Sequence, residues 1–243
     1  MDWYKDWFGT RYYALLYGHR DQDDAARWVR AILERWGPRP GERLLDLACG
    51  RGRHALHFAN AGLDVTGVDL SEESLVEARS TVPLAQFRVH DIREPYPGPA
   101  FPYITCLFTS LGYTTDPADD LRVLQAASDS LAPGGRFVLD VMNTDHVLAH
   151  LIPVEERTID GVHFLVERWY EDGSIRKRIQ VTDGGAHHTY EERLRALRPG
   201  DLTAMVIRAG LQVEDTTDGP VLEPFDPGRS QRFVLWAGKP PVG

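Results

Sequence analysis

Between residues 43 and 141 the chain carries five short apolar runs, alternating with segments whose apolar residues return every three to four positions. The runs are Leu44 to Ala48, Val65 to Val68, Pro83 to Val89, Phe101 to Phe108 and Phe137 to Val141. A compact apolar run flanked by turn residues reads as a strand buried on both faces. Helices are expected between them. One carries Ala55, Leu56, Phe58 and Ala59 on its apolar face, a second is capped by Ser71 with Glu72 and Glu73 in its first turn, and a third runs from Asp116 to Leu131. Residues 22–36 predict a further helix, with Ala25, Ala26, Val29, Ile32 and Leu33 inward, stopped by Gly37-Pro38. Such alternation specifies a parallel sheet covered on both faces.

The period then shortens to two. Val162-Phe164-Val166, Ile175 to Val181 and His187 to Leu194 alternate in and out. They are bounded by Asp160-Gly161, Glu171-Asp172-Gly173 and Thr182-Asp183-Gly184-Gly185, which are hairpin turns. An antiparallel meander of three strands is expected there, interrupting the α/β order. Pro199-Gly200-Asp201 opens another helix, and Leu211 to Glu214 with Phe233 to Lys239 predict a terminal antiparallel hairpin. The expected fold is α/β, a doubly wound Rossmann-like, mostly parallel sheet of seven strands with a small antiparallel insertion. The expected organisation is a core over 1–150 and 198–243, with lid helices in 1–36, and a cap over 151–197.

The first twenty residues are dense in aromatics, and Tyr13, Leu16 and Tyr17 share one helical face. The plainer reading is an amphipathic segment packed on the sheet edge. The functional one is a lid, in which tyrosine faces meet a cation and Arg20 meets a carboxylate.

Candidate chemistry gathers at the end of the first strand, in Asp46-Leu47-Ala48-Cys49-Gly50-Arg51-Gly52. Gly50 and Gly52 permit a tight turn and close approach to a ligand, and the next helix offers unpaired N–H groups. Asp69, ending the second strand, is placed to take the two hydroxyls of a ribose. Asp91, ending the third, could accept the exocyclic amine of adenine. Gly50 to Ala55 also satisfies the loose dinucleotide pattern, so NAD stays open. Asp46 argues against it: a carboxylate beside the turn repels a pyrophosphate and attracts a sulfonium or ammonium, favouring S-adenosylmethionine (SAM).

Composition narrows the partners. With 42% hydrophobic and 26% charged residues the chain is an ordinary globular protein, and its net charge of −9 argues against a nucleic-acid partner. There is no apolar span long enough for a membrane and no signal peptide, so a cytoplasmic protein is expected, as a monomer or homodimer. Cys49 and Cys106 read as free buried thiols. His187 and His188 are adjacent on a strand and face opposite ways, so no metal is assigned.

The assembled motifs resemble the class I SAM-dependent methyltransferases, in particular a bacterial small-molecule-type subgroup with a β insertion after the fifth strand. The resemblance runs through Tyr13 with Leu16-Tyr17 and Arg20-Asp21, the Asp46 to Gly52 loop, Val68-Asp69-Leu70-Ser71 and His90-Asp91-Ile92-Arg93. It continues through Leu107 to Tyr113, Leu131-Ala132-Pro133-Gly134-Gly135, Val141-Met142-Asn143 and Phe225-Asp226-Pro227. Pro102 stands where the family usually has an acidic residue. The resemblance implies that Asp46 with the backbone at Ala48 and Gly50 holds the methionine part, that Asp69 holds the ribose with Leu70 against adenine, that Asp91 and Ile92 read the adenine edge, and that Phe108 closes over the cofactor. It implies methyl transfer to a small-molecule acceptor at nitrogen or oxygen, with S-adenosylhomocysteine as product. An NAD(P)-dependent oxidoreductase and a non-catalytic SAM-binding module are the alternatives. Acceptor-side candidates are Tyr13, Tyr113, Asn143 and His187, with His146, Arg168, His188 and Tyr190 behind them.

Overall fold

A computed structural model describes residues 7–18, 22–220 and 222–241. Its main sheet is built from β1 (Arg43–Leu47), β2 (Asp64–Asp69), β3 (Gln86–Val89), β4 (Phe101–Cys106), β5 (Leu131–Met142), β10 (Gln212–Asp218), β11 (Glu223–Pro224) and β12 (Arg232–Gly238), in the order β11-β10-β12-β5-β4-β1-β2-β3. Strands β1 to β5 pair in parallel, while β12 runs antiparallel to both β5 and β10. The seven strands expected are present, and the two-residue β11 is an eighth. Helices α2 (Gln22–Trp36), α3 (Arg53–Asn60), α4 (Glu72–Thr81), α5 (Ala118–Ser130) and α7 (Pro199–Arg208) cover the sheet. Two apolar cores result. One holds Leu45, Ile104, Phe137 and Leu235 against α5 and α7, and the other holds Leu44, Val65, Val138 and Trp236 against α2, α3 and α4. Alternate residues of each strand point to opposite faces, so one apolar run serves both layers.

The insertion follows the short α6 (Thr144–Ala149). It is a separate antiparallel sheet of four strands, β6 (Val154–Ile159), β7 (Val162–Glu171), β8 (Ser174–Asp183) and β9 (Ala186–Arg195). The three-strand expectation missed β6, a half-exposed edge strand in which Glu155, Glu156 and Arg157 hide the alternation. Strand β3 begins at Gln86 rather than Pro83, and two further boundaries moved. Leu131, expected in a helix, begins β5 in an extended conformation (φ −86°, ψ 134°). Strand β4 stops at Cys106 rather than Phe108, because Phe108 (φ 63°) and Thr109 (φ 61°) turn left-handed.

The described N-terminal residues, including α1 (Arg11–Leu16), pack on the insertion and not on the edge of the main sheet. Trp7 and Leu16 join Val162, Phe164, Val166, Ile179 and Val181 in a third core. The inward face of β7 and β8 thus finds its apolar partner some 150 residues upstream in the chain. Among the described residues no helix is long and apolar enough to cross a membrane. Cys49 and Cys106 are free and buried.

Candidate cofactor and acceptor site

Strand β1 lies between β2 and β4 and delivers its carboxyl end to the centre of the sheet edge. There the backbone turns left-handed at Ala48 (φ 52°), Gly50 (φ 55°) and Gly52 (φ 77°). Gly52 has a packing reason as well, since a Cβ would lie 3.0 Å from Phe87 and 3.2 Å from Ala78. Asp69, closing β2, fastens this turn. Its Oδ2 accepts the Gly50 N–H at 2.9 Å and its Oδ1 accepts the Ser71 N–H at 2.9 Å. Burial pushes the Asp69 carboxyl above the ordinary aspartate range, against the pull of those backbone bonds.

Asp46 lies beneath the turn. It is 1% exposed, its Oδ1 accepts the Thr105 hydroxyl at 2.8 Å, and its Oδ2 has no hydrogen-bond partner. Burial pushes this carboxyl up to about 7. A buried oxygen without a partner is costly unless a compensating charge comes near.

A cavity of about 460 Å³ opens over the strand ends. The expected residues Tyr13, Ala48, Gly50, Asp69, Leu70, Asp91, Ile92 and Phe108 all line it, as does Tyr113. Asp46 and Gly52 are not among the residues that line it. Arg20 lies outside the described residues. Asp91 is already engaged: Arg93 donates to both of its oxygens at 2.5 to 3.1 Å, and this holds its carboxyl below the ordinary range.

The other acceptor-side candidates are elsewhere. Asn143 is fully buried and donates to the Pro227 and Ser230 carbonyls at 2.9 and 2.8 Å, fastening the loop before β12. His187 sits on exposed β9 with Thr182 at 3.2 Å. Arg168 pairs with Glu155, Tyr190 meets Trp7 at a tilt, His188 lies against Tyr12, and His146 stacks on His150.

N-terminal residues Phe8, Tyr13, Ala14, Tyr17 and Gly18 line one side of the opening. Phe8 meets Tyr13 and Tyr113 edge to face at 5.0 and 5.4 Å, and Tyr13 meets Tyr17 at 4.7 Å. On the far wall Asp120 accepts the Gly112 N–H at 2.8 Å and an ion pair from Arg195, the last residue of β9. Sequence reasoning missed this latch, and it also missed Asp140 and Arg232, which brace Phe108. The one local signal was an aspartate inside an apolar run at 140, the same signal that singled out Asp46.

Residues 44–135 match the family described as "Methyltransferase domain". The chain is 28% identical over 220 residues to the dTDP-3-amino-3,4,6-trideoxy-alpha-D-glucopyranose N,N-dimethyltransferase of Streptomyces venezuelae, covering 86% of this chain and 92% of that protein. It is 28% identical to the ubiquinone biosynthesis O-methyltransferase of Xanthomonas euvesicatoria pv. vesicatoria, over 76% of this chain and 68% of that one. Among solved structures, an S-adenosylmethionine-dependent methyltransferase from Clostridium acetobutylicum superposes with a TM-score of 0.81 at 22% identity, covering 94% of this chain and 96% of that one. Residues 44–135 thus form a methyltransferase domain, and the chain shares its overall fold with that S-adenosylmethionine-dependent methyltransferase.

Proposed function

We propose that this protein transfers a methyl group from SAM to a nitrogen or oxygen of a small-molecule acceptor held in this cavity. The observation that carries the reading is the pair of carboxylates flanking the glycine turn. Asp69 faces the cavity while tied to the Gly50 N–H, and Asp46 lies behind the turn with one oxygen lacking a partner. Negative charge at this bend suits a cationic nucleoside and opposes a pyrophosphate. The arginines on the cavity wall do not reverse that balance, because Arg51 pairs with Glu77, Arg53 with Asp24, and Arg93 with Asp91 and Asp119.

When bound, SAM supplies an activated methyl group that passes in line to a lone pair of the acceptor. The chain's own task is positioning and exclusion of water. Asp69 offers its remaining lone pairs to the ribose hydroxyls. Leu70 and Ile92 flank the adenine, and Asp91 receives its amine while held in place by Arg93. Asp46 favours the charged end of the donor through space. Tyr13 and Tyr113, among the hydroxyl-bearing side chains on the cavity wall, orient the acceptor. The acceptor class follows the relatives, one named as the N,N-dimethyltransferase of a dTDP-linked amino sugar and the other as an O-methyltransferase of ubiquinone biosynthesis.

Calorimetry with SAM, S-adenosylhomocysteine and NAD is the primary test, followed by mass spectrometry of an acceptor library with labelled SAM. Binding of SAM and labelling of a small molecule are expected. Uptake of NAD with no affinity for SAM would overturn the reading.

A further inference from the structure

Phe108 and Thr109 are consecutive residues with side chains, both held at positive φ (63° and 61°), and both line the cavity. Non-glycine residues seldom adopt this backbone, and two in a row persist only where the surroundings over-determine them. The surroundings here are specific. The Asp140 carboxylate, fully buried on β5, accepts the Phe108 N–H at 2.9 Å, and the Asp140 carbonyl accepts the Thr109 N–H at 2.9 Å. Arg232, at the start of β12, grips the same carboxylate in a fork, Nε to Oδ1 at 2.8 Å and Nη2 to Oδ2 at 2.7 Å. Its Nη2 also donates to the Thr109 hydroxyl at 3.2 Å, and that hydroxyl accepts the Met142 N–H at 2.9 Å. The Arg232 guanidinium lies 5.1 Å from the centre of the Phe108 ring, and the Arg53 guanidinium lies 3.8 Å from it.

The clamp acts on one half of the cavity. Phe108 packs with His54 and Trp28, beside the first turn of α3 and at the end of β4. The residues assigned to the nucleoside (Asp69, Leu70, Asp91 and Ile92) stand at the ends of β2 and β3, on the other side of β1 in the sheet order. We infer that Arg232, acting through Asp140 and Phe108, is a positioning residue for the amino-acid end of the cofactor and leaves the nucleoside end untouched. Bidentate pairing is the reason an arginine stands there, since two parallel donors fix the carboxylate's orientation as a single ammonium does not. This rests on the SAM reading above.

The test compares two probes on the whole protein by calorimetry: S-adenosylhomocysteine, which carries the amino-acid tail, and 5′-methylthioadenosine, which lacks it. Arg232→Met is expected to weaken the first by about tenfold, equivalent to about 1.4 kcal/mol, and the second by less than about twofold. Arg232→Lys, which keeps the charge and loses the fork, is expected to show a smaller loss on the first probe alone, and it carries the test if Arg232→Met does not fold. Equal weakening of both probes, or of neither, in folded protein overturns the inference. A wild-type protein that binds neither probe overturns the SAM reading instead.

Discussion

The Tyr17 hydroxyl on the lid donates to Glu192 Oε1 on the cap at 2.8 Å. Trp7 Nε1 reaches the same oxygen at 2.6 Å, while Lys177 Nζ meets Oε2 at 2.6 Å and bonds the Tyr17 hydroxyl as well. One carboxylate therefore ties the N-terminal segment to the insertion. Burial opposes ionisation of Glu192, yet Lys177, Tyr17 and Trp7 outweigh it and hold the carboxyl below its usual range.

Glu192→Ala leaves Lys177 without its counter-ion, and a loss of about 2 kcal/mol is expected at this partly exposed pair. Because the folded pKa lies below the unfolded value, the stabilisation is full above about pH 5 and fades as pH falls through the folded value. Hydrogen-exchange protection over residues 7–18 is expected to fall in acid for the wild type and to be low at all pH values in the variant. Unchanged protection in Glu192→Ala would falsify the tie.

Asp46 has the opposite sign. Its carboxyl sits at about 7 against an ordinary 3.8, so the ligand-free protein takes up a proton there, and the group's contribution to stability is lost as pH rises from about 4 to about 7. Affinity for SAM is expected to climb over the pH range approaching 7, with proton release visible as a buffer-dependent heat. Asp46→Asn is expected to melt at or above the wild-type temperature at pH 8 while binding SAM about tenfold more weakly.

Asp69→Asn is expected to cost S-adenosylhomocysteine and adenosine alike about tenfold or more, through weakened ribose contacts. A dideoxyadenosine probe is the control, since it lacks both hydroxyls and should not distinguish variant from wild type. If it loses affinity in parallel with adenosine, Asp69 only braces the turn.

Gly52→Ala must place a Cβ 3.0 Å from Phe87 at φ 77°, whereas Gly134→Ala, at φ 73°, meets nothing within 4 Å. Backbone strain alone is worth about 1 kcal/mol, and the clash adds to it, so Gly52→Ala is expected to cost about 2 kcal/mol or more. Melting temperatures of the two variants decide this. Equal shifts would mean that Phe87 gives way freely.

The strand–helix alternation and the glycine turn could be read from the chain because both are local: a buried strand needs a run of apolar residues, and a tight turn needs glycine where it occurs. Asp69 and Asp91 followed as carboxylates at or just past strand ends, whereas the roles of Leu70, Ile92 and Phe108 came only with the family resemblance. What could not be read is held together across long distances. Arg232 is 92 residues from Asp140, and Tyr17 is 175 from Glu192, so neither pairing leaves a periodic trace. Strand β6 escaped because an edge strand need not be apolar, and Asn143 misled because a strand-end amide is as useful to a loop as to a ligand.

Strand β12 lies between β5 and β10, although almost the whole chain precedes it. During synthesis on the ribosome the outer edge of β5 must therefore wait, unsatisfied, until Arg232–Gly238 has left the exit tunnel. Arg232 arrives with the same strand, so the wall around Phe108 is braced only then. A nascent chain stalled before residue 232 should consequently remain a client of chaperones and gain no protection from cofactor, however complete its glycine turn.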